Sequence, residues 1–347
     1  MTLEEFLEEW NNDSEQVMVH TSGSTGKPKP MWVEKRRMEA SARITCDFLG
    51  LKEGDTALLC MSLDYIAGKM MVVRSLVRNL KLIVVEPTGN PLANVAVSKI
   101  DFAAMVPMQV YNSLQVPQER ERLKQIKHLI IGGGAIDETM ASELKDFPNY
   151  VWSTYGMTET LSHIALRRLN GPEASEWYKP FPSVEISQND DGCLVIDAPQ
   201  VCSERLVTND IVEISEAGFR IIGRKDNVIC SGGIKIQAEE VERILKPYVH
   251  DPFLITKRKD QKFGEIVVMM VEDRGKATGR RAELGNERKE EREERESLKT
   301  RLQSLCREHL PKYWQPRDYV SVAHIPMTET GKPARKQAET LAQKPSR

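Results

Sequence analysis

Residues Thr21–Lys27, TSGSTGK, set two glycines, four hydroxyls and a lysine in one short stretch, and a second lysine, Lys29, follows. Gly23 and Gly26 let the backbone turn where a side chain would clash, so amide N–H groups can converge on an anion. Thr21, Ser22, Ser24 and Thr25 add hydroxyl donors, while Lys27 and Lys29 add positive charge. This is the chemistry of a phosphate cradle, and the strand-like Val17–His20 feeds it. It is not the G-x-x-x-x-G-K-[ST] loop: Gly23 and Gly26 stand too close, and Pro28 pushes Lys27 away from helical angles. A flexible surface loop is the alternative reading of this stretch alone.

Four further stretches are polar or glycine-rich where a fold alone would not require it. In TYGMTET at 154–160, Tyr155 offers a flat ring for stacking on a base. Thr158 and Glu159 offer a hydroxyl and a hard carboxylate suited to Mg²⁺; a helix N-terminus capped by Thr158 is the alternative. In TND at 208–210, Asp210 can accept both hydroxyls of a ribose, although Asn-Asp is also ordinary turn chemistry between strands. Residues 223–242, GRKDNVICSGGIKIQAEEVE, run from a loop through a strand and a glycine turn into a helix. Residues 328–336, TETGKPARK, form a glycine-lysine loop near the C-terminus.

These residues need elements to hold them. Ala57–Cys60, Leu82–Val85, Phe102–Val106, Leu129–Ile131 and Val151–Ser153 are short apolar runs of the kind that form buried strands. Between them Arg36–Leu49 (closed by Gly50), Ile66–Val77 and Asp137–Lys145 have helical patterns, and the alternation predicts a doubly wound α/β layer. From about residue 184 the pattern changes to short strands with turn signals, such as Asn189–Gly192, and an α+β block follows GRKDN at 223–227. Thr2 and Glu5 predict a capped first helix. The stretch ERKEEREERE at 287–296 carries opposite charges at i,i+4 spacing and predicts a solvated helix face.

At 347 residues the chain is long enough for two domains. A formal net charge of -2 gives no global pull toward nucleic acid or an anionic membrane. No apolar run approaches the length of a membrane span, and the acidic TLEEFLEEW is unlike a signal peptide. The six cysteines are scattered without a C-x-x-C pair, which fits reduced thiols and a cytoplasmic protein.

Taken in order and spacing, the five polar stretches resemble the acyl-adenylating superfamily of acyl-CoA synthetases, luciferases and peptide-synthetase adenylation domains. The resemblance runs from His20 to about Arg335. It implies a large N-terminal α/β domain with a strand-rich subdomain, residues 1–224, hinged to a small α+β lid, residues 225–347. It implies ATP, Mg²⁺ and CoA as the small molecules bound. By resemblance Thr21–Lys27 wrap the triphosphate, and Gly132, Gly133, Gly134, Ala135 and Tyr155 bind adenine. Thr158 and Glu159 meet phosphate and Mg²⁺, and Asp210 and Arg224 clamp the ribose, although the usual T-G-D is here Thr208-Asn209-Asp210. Asp226 marks the hinge, Ser231, Gly232 and Gly233 line the pantetheine tunnel, and Lys332 serves adenylation.

Within the superfamily the sequence is most similar to the o-succinylbenzoate–CoA ligases of menaquinone synthesis. Those proteins carry a much longer region before the phosphate loop; Met1, the capped first helix and the lead into Val17 favour a naturally compact enzyme over a cut one. In LDYIAGKMMVVRSLV at 63–77, Tyr65 matches an aromatic residue lining the acyl pocket and Arg74 matches an arginine that meets the substrate's free carboxylate. A helix-surface ion pair is the alternative for Arg74. Ser162 and His163 supply pocket polar groups, with a structural role as the alternative for His163. The rivals are another aryl- or acyl-CoA ligase and a non-catalytic acyl-adenylate-binding protein. The partner expected is a small carboxylic acid, with no nucleic acid and no stable membrane association. The oligomeric state stays open, a homodimer being one arrangement.

Overall fold

A computed structural model describes residues 1–20, 30–95, 99–134, 136, 138–272, 287–328 and 332–343, with only the backbone of 287–296. The chain divides into two compact units: Met1–Asn189, Leu194–Thr208 and Ile214–Arg220 form the first, and Asp190–Cys193, Asn209–Glu213 and Ile221–Arg347 the second.

In the first unit α1 (Leu3–Asn11) begins at the capping box expected from the sequence. The Thr2 hydroxyl accepts from the Glu5 N–H at 3.2 Å, and the Glu5 carboxylate accepts from the Thr2 N–H at 2.7 Å. Strands β1 (Gln16–His20) and β2 (Pro30–Glu34) pair antiparallel with His20 opposite Pro30. The phosphate-loop candidates Thr21–Lys27 connect them and lie outside the described residues. Helix α2 (Lys35–Leu49) closes at Gly50, whose left-handed φ of 65° favours a residue without a β-carbon.

A seven-stranded sheet follows. Its strands are β3 (Thr56–Leu59), β4 (Lys81–Val84), β5 (Ile100–Met105), β6 (Ile126–Ile131), β7 (Tyr150–Gly156), β8 (His163–Arg168) and β9 (Lys179–Pro180). The order is β4-β3-β5-β6-β7-β8-β9; pairings from β4 to β7 are parallel, and β8 and β9 add antiparallel. Parallel neighbours need crossovers, and helices α3 (Ile66–Arg78), α4 (Pro107–Gln115), α5 (Pro117–Gln125) and α6 (Glu138–Leu144) supply them. Leu58, Ala103, Met105, Leu129, Ile131 and Val151 of the strands pack with Val110, Leu114, Leu123 and Leu144 of the helices. Helix α3 is buried from Gly68 through Ser75, so no face of that stretch meets water.

A four-stranded sheet runs in sequential order through β10 (Glu185–Gln188), β11 (Cys193–Asp197), β12 (Leu206–Ser215) and β13 (Gly218–Arg224). The expected turn before Gly192 joins its first two strands, with Gly192 at φ 76°. Thr208-Asn209-Asp210 is strand rather than turn, lying within β12.

The second unit has a five-stranded sheet of β14 (Val228–Ser231), β15 (Ile234–Gln237), β16 (Phe253–Asp260), β17 (Gly264–Glu272) and β18 (Asp318–Val322). Its helices are α7 (Ala238–Leu245), α8 (Glu287–His309) and α9 (Arg335–Ala342). Alternation along β17 builds two cores. Val267, Met269 and Val271 pack with Val241 and Leu245 of α7 and Leu302 and Cys306 of α8. Ile266, Val268 and Met270 face Ala338 and Ala342 of α9. The charged stretch 287–296 lies in α8, and its side chains fall outside the described residues.

Candidate active site

Arg74 is only 2 % exposed, which rules out the helix-surface ion pair. Its Nη2 donates to Ser162 Oγ at 2.6 Å, its guanidinium lies 6.0 Å from the Phe102 ring centroid, and its Nε has no hydrogen-bond partner among the described residues. Burial pulls its pKa down to about 10, so it stays charged at neutral pH. No carboxylate pairs with it among the described residues.

The contacts beyond Ser162 form a chain with one direction. Ser162 Oγ lies 3.2 Å from His163 Nδ1, His163 Nε2 lies 3.1 Å from Thr45 Oγ1, and Thr45 donates to the Ser41 carbonyl at 3.1 Å. A carbonyl only accepts, so the Thr45 proton is committed and Thr45 must accept from His163 Nε2–H. His163 Nδ1 is then bare and accepts the Ser162 proton, which leaves the Ser162 oxygen to accept from Arg74. Burial, with Arg74 beside it, holds the His163 pKa well below its usual value and keeps the ring neutral. Thr45 carries no sequence signal of this role; it is one more inward position of α2.

Local strain and close approach position Ser162 and His163. Leu161 sits at φ 65° and ψ −33°, a conformation that a leucine adopts only when its surroundings enforce it. The β7–β8 register shifts between Tyr155 and Gly156, and a β-carbon on Gly156 would lie 2.2 Å from the Ser162 carbonyl oxygen and 2.5 Å from His163 Cα. Gly68 plays a similar part in α3, where a β-carbon would meet the Ser62 carbonyl at 2.3 Å. Tyr65 precedes that helix, 47 % exposed, and stands about 13 Å from Arg74 along the axis at 1.5 Å per residue. The structure does not bring these two together.

The glycine segment and TYGMTET meet at the carboxyl ends of β6 and β7, where parallel sheets bind ligands. Ile131 pairs with Ser153, and a β-carbon on Gly132 would touch Thr154 Oγ1 at 2.4 Å. Gly133 has φ 81°, Gly134 packs near Pro107, and Ala135 lies outside the described residues. Tyr155 is 7 % exposed and meets Phe219 edge-on at 5.0 Å. A 3₁₀ turn covers Thr158–Thr160, and Thr160 rather than Thr158 makes the capping bonds to Met157. Thr158 is buried and Glu159 exposed. One open carboxylate beside a hydroxyl fits Mg²⁺ held largely by substrate phosphates. Among the described residues no group of three His, Cys, Asp or Glu could enclose a metal by itself.

The second unit gathers Asp210, Arg224, Asp226 and Lys332 from three distant segments. Arg224 Nη1 donates to Asp210 Oδ1 at 2.8 Å and its Nη2 reaches Asp226 at 3.5 Å, while Asn209 donates to Asp226 at 3.4 Å. Burial lowers the Lys332 pKa; the Arg224 charge lowers it further and Asp210 opposes them, so the ammonium lies within electrostatic reach of both. Ser231 pairs with Ile234 across Gly232 at φ 58° and Gly233 at φ 83°, the two positive angles of a type I′ hairpin turn.

Residues 4–199 match the family model for the AMP-binding enzyme. The chain belongs to the AMP-binding enzyme family. It is similar to the 2-succinylbenzoate–CoA ligase of Listeria monocytogenes at 24% identity, over 94% of this chain and 70% of that protein. Among solved structures it resembles the acyl-CoA synthetase (AMP-forming)/AMP-acid ligase II-like protein of Dyadobacter fermentans, with 34% identity and a TM-score of 0.63 over 96% and 92% of the two chains. It also resembles the o-succinylbenzoate CoA synthetase of Bacillus subtilis in complex with its acyl-adenylate intermediate, at 21% identity and a TM-score of 0.72 over 92% and 68%. That last likeness is one of fold, and it carries the mixed α/β architecture of AMP-binding enzymes. No helix among the described residues is long and apolar enough to cross a membrane.

Proposed function

We propose that the protein is an AMP-forming acid–CoA ligase whose acid is o-succinylbenzoate, acting in the cytoplasm on small molecules. One observation carries the choice of acid: the buried Arg74 charge has no carboxylate partner among the described residues. A fatty chain beside it would leave a desolvated guanidinium unpaired, at a cost of several kcal/mol (about 2–5 for a stranded buried charge). An acid with a second, free carboxylate supplies the missing ion pair. The named activity of the Listeria relative points the same way.

In the first half-reaction the acid's other carboxylate attacks the α-phosphate of ATP and pyrophosphate leaves. Thr21–Lys27 cradle the triphosphate, the glycine segment and Tyr155 border the adenine, and Asp210 with Arg224 receives the ribose. Glu159, beside Thr158, would hold Mg²⁺, which offsets phosphate charge. The Lys332 ammonium offsets the charge that builds on the α-phosphoryl oxygens. In the second half-reaction the CoA thiol enters past Ser231–Gly233, attacks the acyl carbonyl and releases AMP. Residues 225–347, turning about Asp226, act as the lid that presents the lysine first and the thiol path second.

The test is product analysis with ATP, Mg²⁺, CoA and o-succinylbenzoate. AMP and pyrophosphate are expected; ADP with a phosphorylated product would end the adenylation reading. A panel of aryl and alkyl acids in ATP–pyrophosphate exchange separates this substrate from that of another acyl-CoA ligase.

A further inference from the structure

Arg335 opens α9 just after Lys332, and two elements of the same unit grip it. Its Nη1 donates to Glu242 Oε1 at 3.0 Å and to the Ile255 carbonyl at 3.0 Å, and its Nη2 donates to Glu242 Oε2 at 2.7 Å. The Ile255 N–H in turn donates to Glu242 Oε1 at 2.8 Å. Both side chains are 21% exposed. A two-pronged contact of this kind fixes direction as well as distance.

The segment so held is the one that presents Lys332. Thr328 N–H donates to the Lys332 carbonyl at 2.7 Å, Lys332 N–H donates to Thr328 Oγ1 at 3.1 Å, and Ala334 N–H donates to the Pro326 carbonyl at 2.8 Å. These bonds tie residues 326–328 to residues 332–334, and next to them the Ile325 N–H donates to Glu272 Oε1 of β17 at 2.8 Å. Ala338 and Ala342 seat the following helix on β16 and β17 by apolar contact, which resists separation better than sliding. The fork from Arg335 to α7 and β16 adds directional bonds on the Lys332 side of the segment.

We propose that Glu242 and Arg335 are positioning residues for Lys332, holding its ammonium beside the Asp210–Arg224 pair during adenylation. The inference rests on the adenylation reading of Lys332. Neither residue belongs to the set that meets ATP, so their part in the reaction is through the loop. A merely structural ion pair would lower both half-reactions together, in step with the folded fraction. A positioning pair lowers adenylation alone, because thioester formation does not use the lysine.

The experiment compares Arg335→Lys, Glu242→Gln and Lys332→Ala with wild type. ATP–pyrophosphate exchange at saturating ATP reads the first half-reaction, thioester formation from the preformed acyl-adenylate reads the second, and thermal melting reads the fold. Exchange is expected to fall on the order of 10²-fold in the two clamp variants, the size of a small misplacement of a catalytic group. The second half-reaction should stay near wild type. Should Arg335→Lys fail to fold, Glu242→Gln keeps the side-chain size and carries the comparison alone. If Lys332→Ala loses exchange while Glu242→Gln and every folded clamp variant keep it, or lose both half-reactions alike, the clamp is refuted and the adenylation reading stands. If Lys332→Ala keeps exchange, both fall together.

Discussion

Arg74, on a buried helix, donates a 2.6 Å hydrogen bond to Ser162, 88 positions further along the chain. The bond ties a charge that could not be buried for stability alone to a hydroxyl whose proton is already committed to His163. A guanidinium held in this way is kept inside the fold with its Nε unpartnered among the described residues. That arrangement is what a recognition group needs, and a surface ion pair would not provide it.

Arg74→Ala therefore tests the acid. Truncating one side of a buried charge pair costs about 2–5 kcal/mol, or roughly 30- to several-thousand-fold in kcat/KM for o-succinylbenzoate. Arg74→Lys should recover only part, since an ammonium lacks the fork. Benzoate-like acids without a second carboxylate should lose little, and the KM for ATP should hardly move. A uniform fall on all acids in steady-state kinetics would make Arg74 structural.

Thr45→Val tests the direction of the relay. Valine keeps the shape of a fully buried residue but removes the acceptor for His163 Nε2–H. An unpaired buried donor costs about 1–3 kcal/mol, measurable by urea unfolding. The imidazole can relieve this by moving its proton to Nδ1, which then competes with Arg74 for the Ser162 oxygen. The KM for the acid should rise while that for ATP stays, and Thr45→Ser should restore both stability and KM. If valine and serine behave alike, Thr45 contributes packing only.

Much of this was legible in the sequence, for physical reasons that also mark the limits. Short apolar runs located β3, β5 and β6, and Thr2, Gly50 and the Gly232–Gly233 pair announced their caps and turn, because those positions are governed by local backbone chemistry. Asp210, Arg224 and Lys332 were legible as types at a spacing, and the fold brings them together. Thr45 was not, since a threonine inside a helix carries no mark of what faces it. Nor was the Glu242–Arg335 fork, whose partners are 93 positions apart. The packing of Tyr155 against Tyr178 and Phe219 was not legible either, because those partners come from distant strands and loops.

Gly156→Ala tests the bulge that presents Ser162 and His163. The added carbon would lie 2.2 Å from one backbone atom and 2.5 Å from another, and backbone cannot swing aside as a side chain can. Overpacking of this kind costs about 1–3 kcal/mol. Thermal melting should register that loss, and the displaced Ser162 should raise the KM for the acid. An unchanged melting temperature and KM would mean that the strand relaxes freely there.

The pH dependence of adenylation tests the surroundings of Lys332. Burial is the largest influence and lowers its pKa, Arg224 lowers it further, and Asp210 partly restores it. A lysine with a lowered pKa gives up its proton earlier as pH rises, and the neutral amine cannot offset phosphoryl charge. The alkaline limb of kcat/KM for ATP–pyrophosphate exchange, which reports the free enzyme, should fall below the ordinary lysine value of about 10.4. Asp210→Asn removes the one influence that raises the pKa, so the limb should move to still lower pH, whatever the loss in rate. Stability follows the opposite sign. Between the folded and the unfolded pKa the unfolded chain binds more protons, so the contribution of Lys332 to stability rises with pH through that window and is unfavourable below it. Lys332→Met should then melt higher than wild type near neutral pH while losing adenylation, and the gap should narrow in alkali. A limb at the ordinary lysine position, or a variant no more stable than wild type, would place the ammonium in water rather than in the half-buried site beside Asp210 and Arg224.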